Sequence, residues 1–198
     1  MDTDQARLDA GREIAAIVGV EDKIDWRTGA LGDLPLGERE ARVAYCIEVI
    51  EHLGRSESAM RDLARICREI LVVATPNLCF PIIAHDTGLP FCHWLPLEMR
   101  RRYARLCGRS RRENENLFWS PRSLLRALPE FEVASRFLHY ASRRDYLATL
   151  PIYVPYLRGG LRRGDGRLKS VYYAAAALLG RHSLYVMPSL ACTLRRRQ

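Results

Sequence analysis

Features that mark secreted and membrane proteins are missing from this sequence. The six cysteines form no Cys-x-x-Cys pair and no tight cluster, so we expect reduced thiols in or near the core. No apolar run approaches the roughly 20 residues that span a bilayer, and the acidic first four residues lack an apolar signal region. These absences predict a cytoplasmic protein without a transmembrane segment. The cysteines are Cys46, Cys67, Cys79, Cys92, Cys107 and Cys192.

Lysine is scarce too, since Lys23 and Lys169 are the only lysines among 31 basic residues. The composition, 48% hydrophobic and 27% charged over 198 residues, is typical of one globular domain over residues 1–198. The formal net charge is +8, although residues 1–90 carry more acidic than basic side chains. We therefore expect any anionic partner to meet the basic back half.

The front half alternates helical and strand patterns. Thr3 or Asp4 can cap a first helix, which Gly19 ends. Strands are predicted at residues 23–27, 43–47 and 69–75, with a helix capped by Ser56 or Ser58 before the last of them. The apolar run at 43–47 is typical of a buried strand. Strands separated by helices indicate an α/β domain with a mostly parallel sheet. The first helix carries apolar residues that predict a buried stripe: Ala6, Leu8, Ile14, Ile17 and Val18.

The back half is less regular. Residues 78–96 are predicted to form a long ordered loop, followed by a helix from Pro96 and another from the Ser120-Pro121 pair. We expect strands at residues 131–140 and 183–194, a helix at 168–179, and a Pro/Gly/Arg-rich connection at 151–167. No internal repeat occurs.

Three segments stand in an order that is informative as a set. They are GALGDLP at residues 29–35, CIEVIEHL at 46–53 and ATPN at 74–77, each after or at the end of a predicted strand. This arrangement resembles the class I S-adenosylmethionine-dependent methyltransferases, and the resemblance extends through the loop at 89–96 and the Ser-Pro helix. It implies a Rossmann-like class I methyltransferase fold, in which ligands bind at the carboxyl ends of the strands.

The resemblance also implies which residues would bind S-adenosyl-L-methionine. The chain at Gly29, Ala30 and Leu31 would edge the adenine, and Ile47 and Glu48 would flank the methionine end. Asp2 would hold the ribose hydroxyls, or would instead be a solvated charge near a helix cap. Residues 1–77 would then belong to the cofactor-binding half, and residues 78–198 to the acceptor side.

The sequence departs from the family pattern in two places. The first strand and its glycine-rich loop are absent, and Ala30 stands where the family has an aspartate that accepts a hydrogen bond from the adenine. We therefore expect a truncated chain that binds the cofactor poorly, with an exposed sheet edge beside residues 43–47 that promotes self-association.

On the acceptor side, His52, His85, His93 and Trp94 are the candidate residues. A packed, rigid loop is the alternative explanation for the latter three. A set similar to Glu48, Glu51 and His52, joined by a distant histidine, binds a divalent metal in small-RNA 2′-O-methyltransferases. The same segment is also common in methyltransferases without a metal, and we predict no metal here.

The methyl acceptor is left open between a small molecule, a glycan, a lipid-linked acceptor and RNA. Runs of arginine at 100–102, 109–112 and 195–197 make a non-enzymatic nucleic-acid-binding domain an alternative, although a solvated helix face is the default interpretation of the first run. Residues 146–163 could instead lie against an anionic membrane.

Overall fold

The computed structural model describes residues 1–83, 87–109, 116–135, 171–172, 175 and 178–198. The described strands form one sheet in the order β1-β2-β4-β3. β1 and β2 are parallel, whereas β4 is antiparallel to both β2 and β3. The α/β fold is confirmed, with a mixed sheet in place of a mostly parallel one. The elements are α1 (Gln5–Ile17), β1 (Ala41–Ile47), α2 (Glu57–Ile66), β2 (Cys67–Pro76), α3 (Leu97–Leu106), α4 (Pro121–Ala127), β3 (Phe131–Ser135) and β4 (Ser189–Arg196).

The core lies between the sheet and helices α2 and α4. Leu71 and Val73 of β2 are fully buried there, together with Met60 and Leu63 of α2 and Leu124 of α4. β2 is buried along nearly its whole length because it has a neighbouring strand on each side. It is therefore the strand around which the sheet is organised, as expected for an almost unbroken apolar run.

Side chains close the ends of α2. Ser56 begins the helix by accepting a hydrogen bond from the backbone N–H of Ala59, 3.3 Å away. At the other end, the Arg196 guanidinium donates to the carbonyl oxygens of Ala64 and Cys67 and lies 4.7 Å above the ring of Phe131. The arginine run at 195–197 thus has a structural role at its centre.

One predicted strand was wrong, and another is present with a later start. Residues 23–27 contain the end of a 3-10 turn, Glu21–Lys23, and no strand, because the ring of Trp26 packs against α1, where a Cβ on Gly11 would lie 2.8 Å from it. The last strand begins at Ser189 instead of residue 183, after a 3-10 helix over Gly180–Tyr185. Its pairing starts with Ser189 opposite Pro76, where β2 ends.

The helices at Leu97–Leu106 and Pro121–Ala127 confirm the predictions from Pro96 and from the Ser120-Pro121 pair. Ser120 is the N-cap, and its side chain and that of Ser123 form a capping box. The predicted connection at 151–167 lies outside the described residues, as do most of the helix at 168–179 and the end of the strand at 131–140.

The predicted burial of the first helix and of the 43–47 strand was wrong in part. In α1 only Leu8 and Ala15 are buried, while Ile17 is 86% exposed. β1 buries Cys46 toward α2 but leaves Val43, Tyr45 and Ile47 exposed on the opposite face. Among the described strands, β1 has one neighbour, so it is an edge strand that has an exposed apolar face.

The six cysteines are free, and four of them are buried. Burial raises the pKa of the Cys46 and Cys192 thiols to about 12, so both stay protonated. Cys107 is exposed, contrary to the expectation that all six lie in or near the core. No helix in the described part of the chain is long and apolar enough to cross a bilayer.

The exposed face of β1 predicts self-association through this edge. Val43→Lys places a charge there and should shift the protein toward monomer in sedimentation velocity measurements across a concentration series. Leu106→Lys is the matched control, since Leu106 is 79% exposed at the end of α3 and away from the sheet. A wild-type protein that is monomeric at every concentration would contradict this prediction.

Candidate functional site at the carboxyl ends of β1 and β2

The parallel strands β1 and β2 end side by side, and Glu48 follows directly after β1. Its backbone N–H donates to the carbonyl oxygen of Ala74 in β2, 2.7 Å away, which extends the ladder by one residue. Glu48 has a φ of 53°, in the left-handed region that non-glycine residues rarely adopt. Strained backbone of this kind tends to occur at functional sites. The geometry therefore turns the chain sharply at Glu48, with its side chain exposed.

A second carboxylate, Glu51, lies within the protein beside this turn. It is completely buried, in the 3-10 helix Ile50–Leu53, and its Oε2 accepts a hydrogen bond from the Thr75 hydroxyl at 2.9 Å. Thr75 belongs to β2 and is itself fully buried. This bond ties the turn after β1 to the end of β2, so the segments at 46–53 and 74–77 meet as the sequence predicted.

The two carboxylates influence each other's protonation. Desolvation, the negative charge of Glu51 and a hydrogen bond with Glu51 together raise the pKa of Glu48 to about 7. Glu48 thus changes charge near neutral pH. This edge of the sheet carries a titratable acid beside the exposed apolar side chains of Ile47 and Val49.

His52 lies on the solvent side of the same turn. Its Nδ1 is 3.1 Å from Oδ1 of the buried Asn116, and its Nε2 is 3.9 Å from Glu51 Oε1. The backbone N–H of Leu117 donates to the Glu51 carbonyl oxygen, 3.1 Å away, which docks this segment on the turn. Asn116 Nδ2 is buried and has no hydrogen-bond partner in the described part of the chain. His52 is half-exposed and available to a ligand.

The loop that contains Gly29, Ala30 and Leu31 is fastened to α2. Asp62 accepts hydrogen bonds from the backbone N–H groups of Gly32 and Leu34, at 3.0 and 2.8 Å. Arg65 donates to Asp62 and to the carbonyl oxygens of Leu34 and Leu36. Burial opposes ionisation of Asp62, but these donors outweigh it and lower its pKa. This pair was not among the predicted site residues, although Asp62 and Arg65 have the i, i+3 spacing of an ion pair on one helix face.

Asp2 lies next to Gly29. Thr28 forms a single parallel bridge with Asp2, and the Gly29 N–H donates to the Asp2 carbonyl oxygen, 3.1 Å away. The Asp2 carboxylate accepts from the Asp4 N–H at 3.0 Å, while Asp4 is the N-cap of α1. Gly29 itself has no room for a side chain, since a Cβ would lie 2.7 Å from Pro35. The contacts thus group the predicted cofactor residues in two sets, one at Asp2 and Gly29 and one at Ile47 and Glu48.

His93 and Trp94 fix the loop before α3. The His93 ring is buried with Nε2 3.2 Å from the Leu78 carbonyl oxygen, and Trp94 Nε1 donates to the same oxygen at 2.5 Å. Burial lowers the pKa of His93. Half of the Trp94 surface is exposed, so Trp94 can meet a ligand whereas His93 packs inside. His85 lies outside the described residues.

The first arginine run is only in part a solvated face. Arg100 is 5% exposed, and its two terminal nitrogens donate to the carbonyl oxygens of Asn116 and His93, both at 2.9 Å. It therefore joins α3 to the loops on either side. Arg102 of the same run is exposed, and the run at 109–112 lies mostly outside the described residues, as does 146–163.

Within the described ranges, no group of three or more His, Cys, Asp or Glu side chains could hold a metal ion. Glu51 is occupied with Thr75, and His52 lies beside Asn116. The arrangement of Glu48, Glu51 and His52 is thus a carboxylate pair with an adjacent imidazole.

Comparison with solved structures shows the fold. The chain is similar to a [4+2]-cyclase, SpnF, with 15% identity and a TM-score of 0.50, covering 98% of this chain and 64% of that one. It is similar to the geranyl diphosphate C-methyltransferase of Streptomyces coelicolor, with 14% identity and a TM-score of 0.50, over 98% and 60% of the two chains. A protein from Galdieria sulphuraria assigned as a sarcosine dimethylglycine methyltransferase has 10% identity and a TM-score of 0.52, over 98% and 68%.

The chain spans 64%, 65% and 60% of the length of the first three solved structures it matches. No model of a known protein family matches the sequence, and no curated protein matches it either.

The similarity to the solved structures shows a Rossmann-like class I methyltransferase fold. This is the fold that the resemblance of the three sequence segments implied.

Removal of the Asp62 carboxylate should destabilise the protein and loosen the loop at 29–36. Asp62→Ala leaves two backbone N–H groups and Arg65 without their acceptor, which should cost about 1.5–3 kcal/mol in the free energy of unfolding. Urea denaturation measures this loss. Asp9→Ala, which removes an exposed ion pair with Arg12, is the control and should cost no more than about 1 kcal/mol. Equal losses of stability in the two variants would contradict the conclusion that the buried Asp62 fastens this loop to α2.

The raised pKa of Glu48 predicts a pH-dependent contribution to stability. The native state binds more protons than the unfolded state between the unfolded pKa, about 4.5, and about 7, so this contribution is lost as pH rises through that window. Glu48→Gln should remove this contribution. Between pH 4.5 and pH 8 the free energy of unfolding should therefore fall by about 1 kcal/mol more in the wild type than in the variant, after allowance for the exposure of Glu48.

The measurement is urea denaturation from pH 4.5 to 8, taken as the difference between wild type and variant. The difference is needed because the lowered pKa of His93 makes its own contribution increase with pH. Glu38→Gln is the control, at an exposed carboxylate on the surface. Parallel curves for wild type and Glu48→Gln would show that Glu48 has an ordinary pKa.

Proposed function

We propose that this chain binds S-adenosyl-L-methionine at the carboxyl ends of β1 and β2 and transfers its methyl group to a small-molecule, glycan or lipid-linked acceptor. The observation that supports this most directly is the exposed Glu48 carboxylate, beside the buried Glu51 and the exposed Ile47. Ligands of open α/β sheets bind at such strand ends. The similarity of the fold to two methyltransferases supports the reaction class.

The chemistry of these residues fits the cofactor. When bound, the cofactor supplies a sulfonium cation and a transferable methyl group. A carboxylate beside a cation is favourable to both of these charged groups. Glu48 shares a site with a second carboxylate, so a neighbouring positive charge would stabilise its ionised form. Ile47 and Val49 offer apolar contact beside it. Glu48 is thus suited to the charged end of the ligand.

The other proposed cofactor contacts are Asp2, Gly29, Ala30 and Leu31. Gly29 and Asp2 are held together through their backbones, and the Asp2 carboxylate accepts the Asp4 N–H beside the start of α1. Asp62 and Arg65 position this loop from α2 and are therefore positioning residues for the same site. Methyl transfer depends chiefly on alignment of the two reactants, so rigid supports of this kind contribute to rate.

On the acceptor side we propose His52 and Trp94, because both are about half-exposed. We assign His93 a supporting role, since its ring is buried and hydrogen-bonded to Leu78. One neighbour of this fold is a cyclase, so the fold by itself does not fix the reaction. Binding of the cofactor is the property to test first.

The test compares a cation with its neutral counterpart. S-adenosylmethionine carries the sulfonium charge and S-adenosylhomocysteine does not, so Glu48→Gln should weaken binding of the former by about three- to tenfold and of the latter much less. In wild type, S-adenosylmethionine should bind more tightly as pH rises through about 7, where Glu48 ionises. Calorimetric titration up to millimolar ligand measures both.

Glu38→Gln serves again as the control and should leave both affinities unchanged. Equal weakening of the two ligands by Glu48→Gln would show that the charge does not face the sulfonium. Absence of binding by either ligand at millimolar concentration would overturn the proposed function.

A further inference from the structure

A groove separate from the strand-end site lies between α2 and α4. Its volume is about 510 Å³, within the range typical of small-molecule sites. The buried Met60 and Trp119 contribute its apolar lining. Four arginines line it: Arg55, Arg61, Arg122 and Arg126.

The charges of this groove are poorly balanced. Glu57 is its one acidic lining residue, and it is 3.9 Å from Arg61 in an exposed pair, which contributes little. Arg122 and Arg126 are exposed on α4 and make no ion pair within the described ranges. A concave surface with a net positive charge concentrates anions.

One of the four guanidinium groups is held in place. Arg55 donates through Nε and Nη2 to the Phe118 carbonyl oxygen, at 3.1 and 2.7 Å. Such a bond spares the entropy of ordering the side chain when a ligand binds.

From these observations we infer that the groove between α2 and α4 binds a small phosphate-bearing ligand. A guanidinium presents a planar fork that matches two phosphate oxygens, and several such forks around one concavity suit a group of two or more negative charges. The apolar lining from Met60 and Trp119 would contact the uncharged part of the ligand. The concavity is partly open to solvent, and its aromatic lining residue, Trp119, is buried, so no exposed aromatic face among the described lining residues can stack a base; this favours a small molecule over a single-stranded nucleic acid.

This site does not depend on the proposed methyl transfer, because its test needs no cofactor. Pyrophosphate and inorganic phosphate are the probes, titrated by calorimetry into the full chain at low salt. Pyrophosphate should bind more tightly and raise the melting temperature. The double variant Arg122→Gln/Arg126→Gln should lose at least tenfold in pyrophosphate affinity.

Two further variants sharpen the experiment. Glu57→Gln removes the one acidic lining residue and should increase pyrophosphate affinity a few-fold. Arg105→Gln, at an exposed helical arginine outside the groove, should leave it unchanged. Each variant should fold, because these side chains are on the surface, and circular dichroism checks this.

Three results would overturn the proposal. One is the absence of pyrophosphate binding at millimolar concentration, and another is an equal loss of affinity in Arg105→Gln and in the double variant. The third is tighter binding of a short single-stranded RNA than of pyrophosphate, reduced by the same double variant, since this would identify a nucleic-acid surface.

Discussion

The structure depends on one buried carboxylate. Glu51 has no exposed surface, and burial of an ionisable group is costly unless its oxygens are hydrogen-bonded. The Thr75 hydroxyl supplies one such bond, and the Glu51 backbone carbonyl receives the N–H of Leu117. A single residue therefore joins the end of β2 to the segment that leads into α4. Desolvation and the nearby Glu51 carboxylate together raise the pKa of Glu48, so the packing of the interior determines the chemistry at the surface.

Elsewhere, asparagine and arginine side chains form hydrogen bonds with backbone groups that regular secondary structure does not pair. Asn77, fully buried after β2, donates to the carbonyl oxygens of Leu184 and Met187 and accepts from the Cys79 N–H. Arg100 and Arg196 satisfy carbonyl oxygens at loop and helix ends. Buried polar groups need partners where regular structure stops. At these two positions, therefore, the basic side chains of the back half point inward.

The sequence predicted the fold well where local chemistry decides it. Apolar runs located β1 and β2, and Pro96 and the Ser120-Pro121 pair located the starts of α3 and α4. It failed where distant packing decides, as at residues 23–27, where alternation suggested a strand but Trp26 packs against α1. It also predicted buried positions at Ile17 and Val43 from periodicity alone, which cannot show whether a neighbour covers them.

For the candidate site, the sequence found the segments but not the contacts. Glu48 and Glu51 stood out by spacing, whereas the pairing of Glu51 with Thr75 needed the sheet to bring residues 24 apart together. The arginine groove could not be found, because its arginines come from α2, from the residue before its cap and from α4, and only the packed core defines how these segments approach. His93 looked like a ligand residue because a histidine in a loop has the same sequence signature whether it is packed or exposed.

The pairing of β2 has a kinetic consequence. Its partnership with β1 joins neighbours across one helix, but its partnership with β4 joins residues more than 100 positions apart, such as Ser189 and Thr75. Closing so long a loop costs entropy before any contact forms, and such topologies fold slowly. The unit β1–α2–β2 can therefore assemble early, while the edge of β2 that pairs with β4 is still unpaired. During that interval the folding chain, more than the finished protein, is the species at risk of joining another copy.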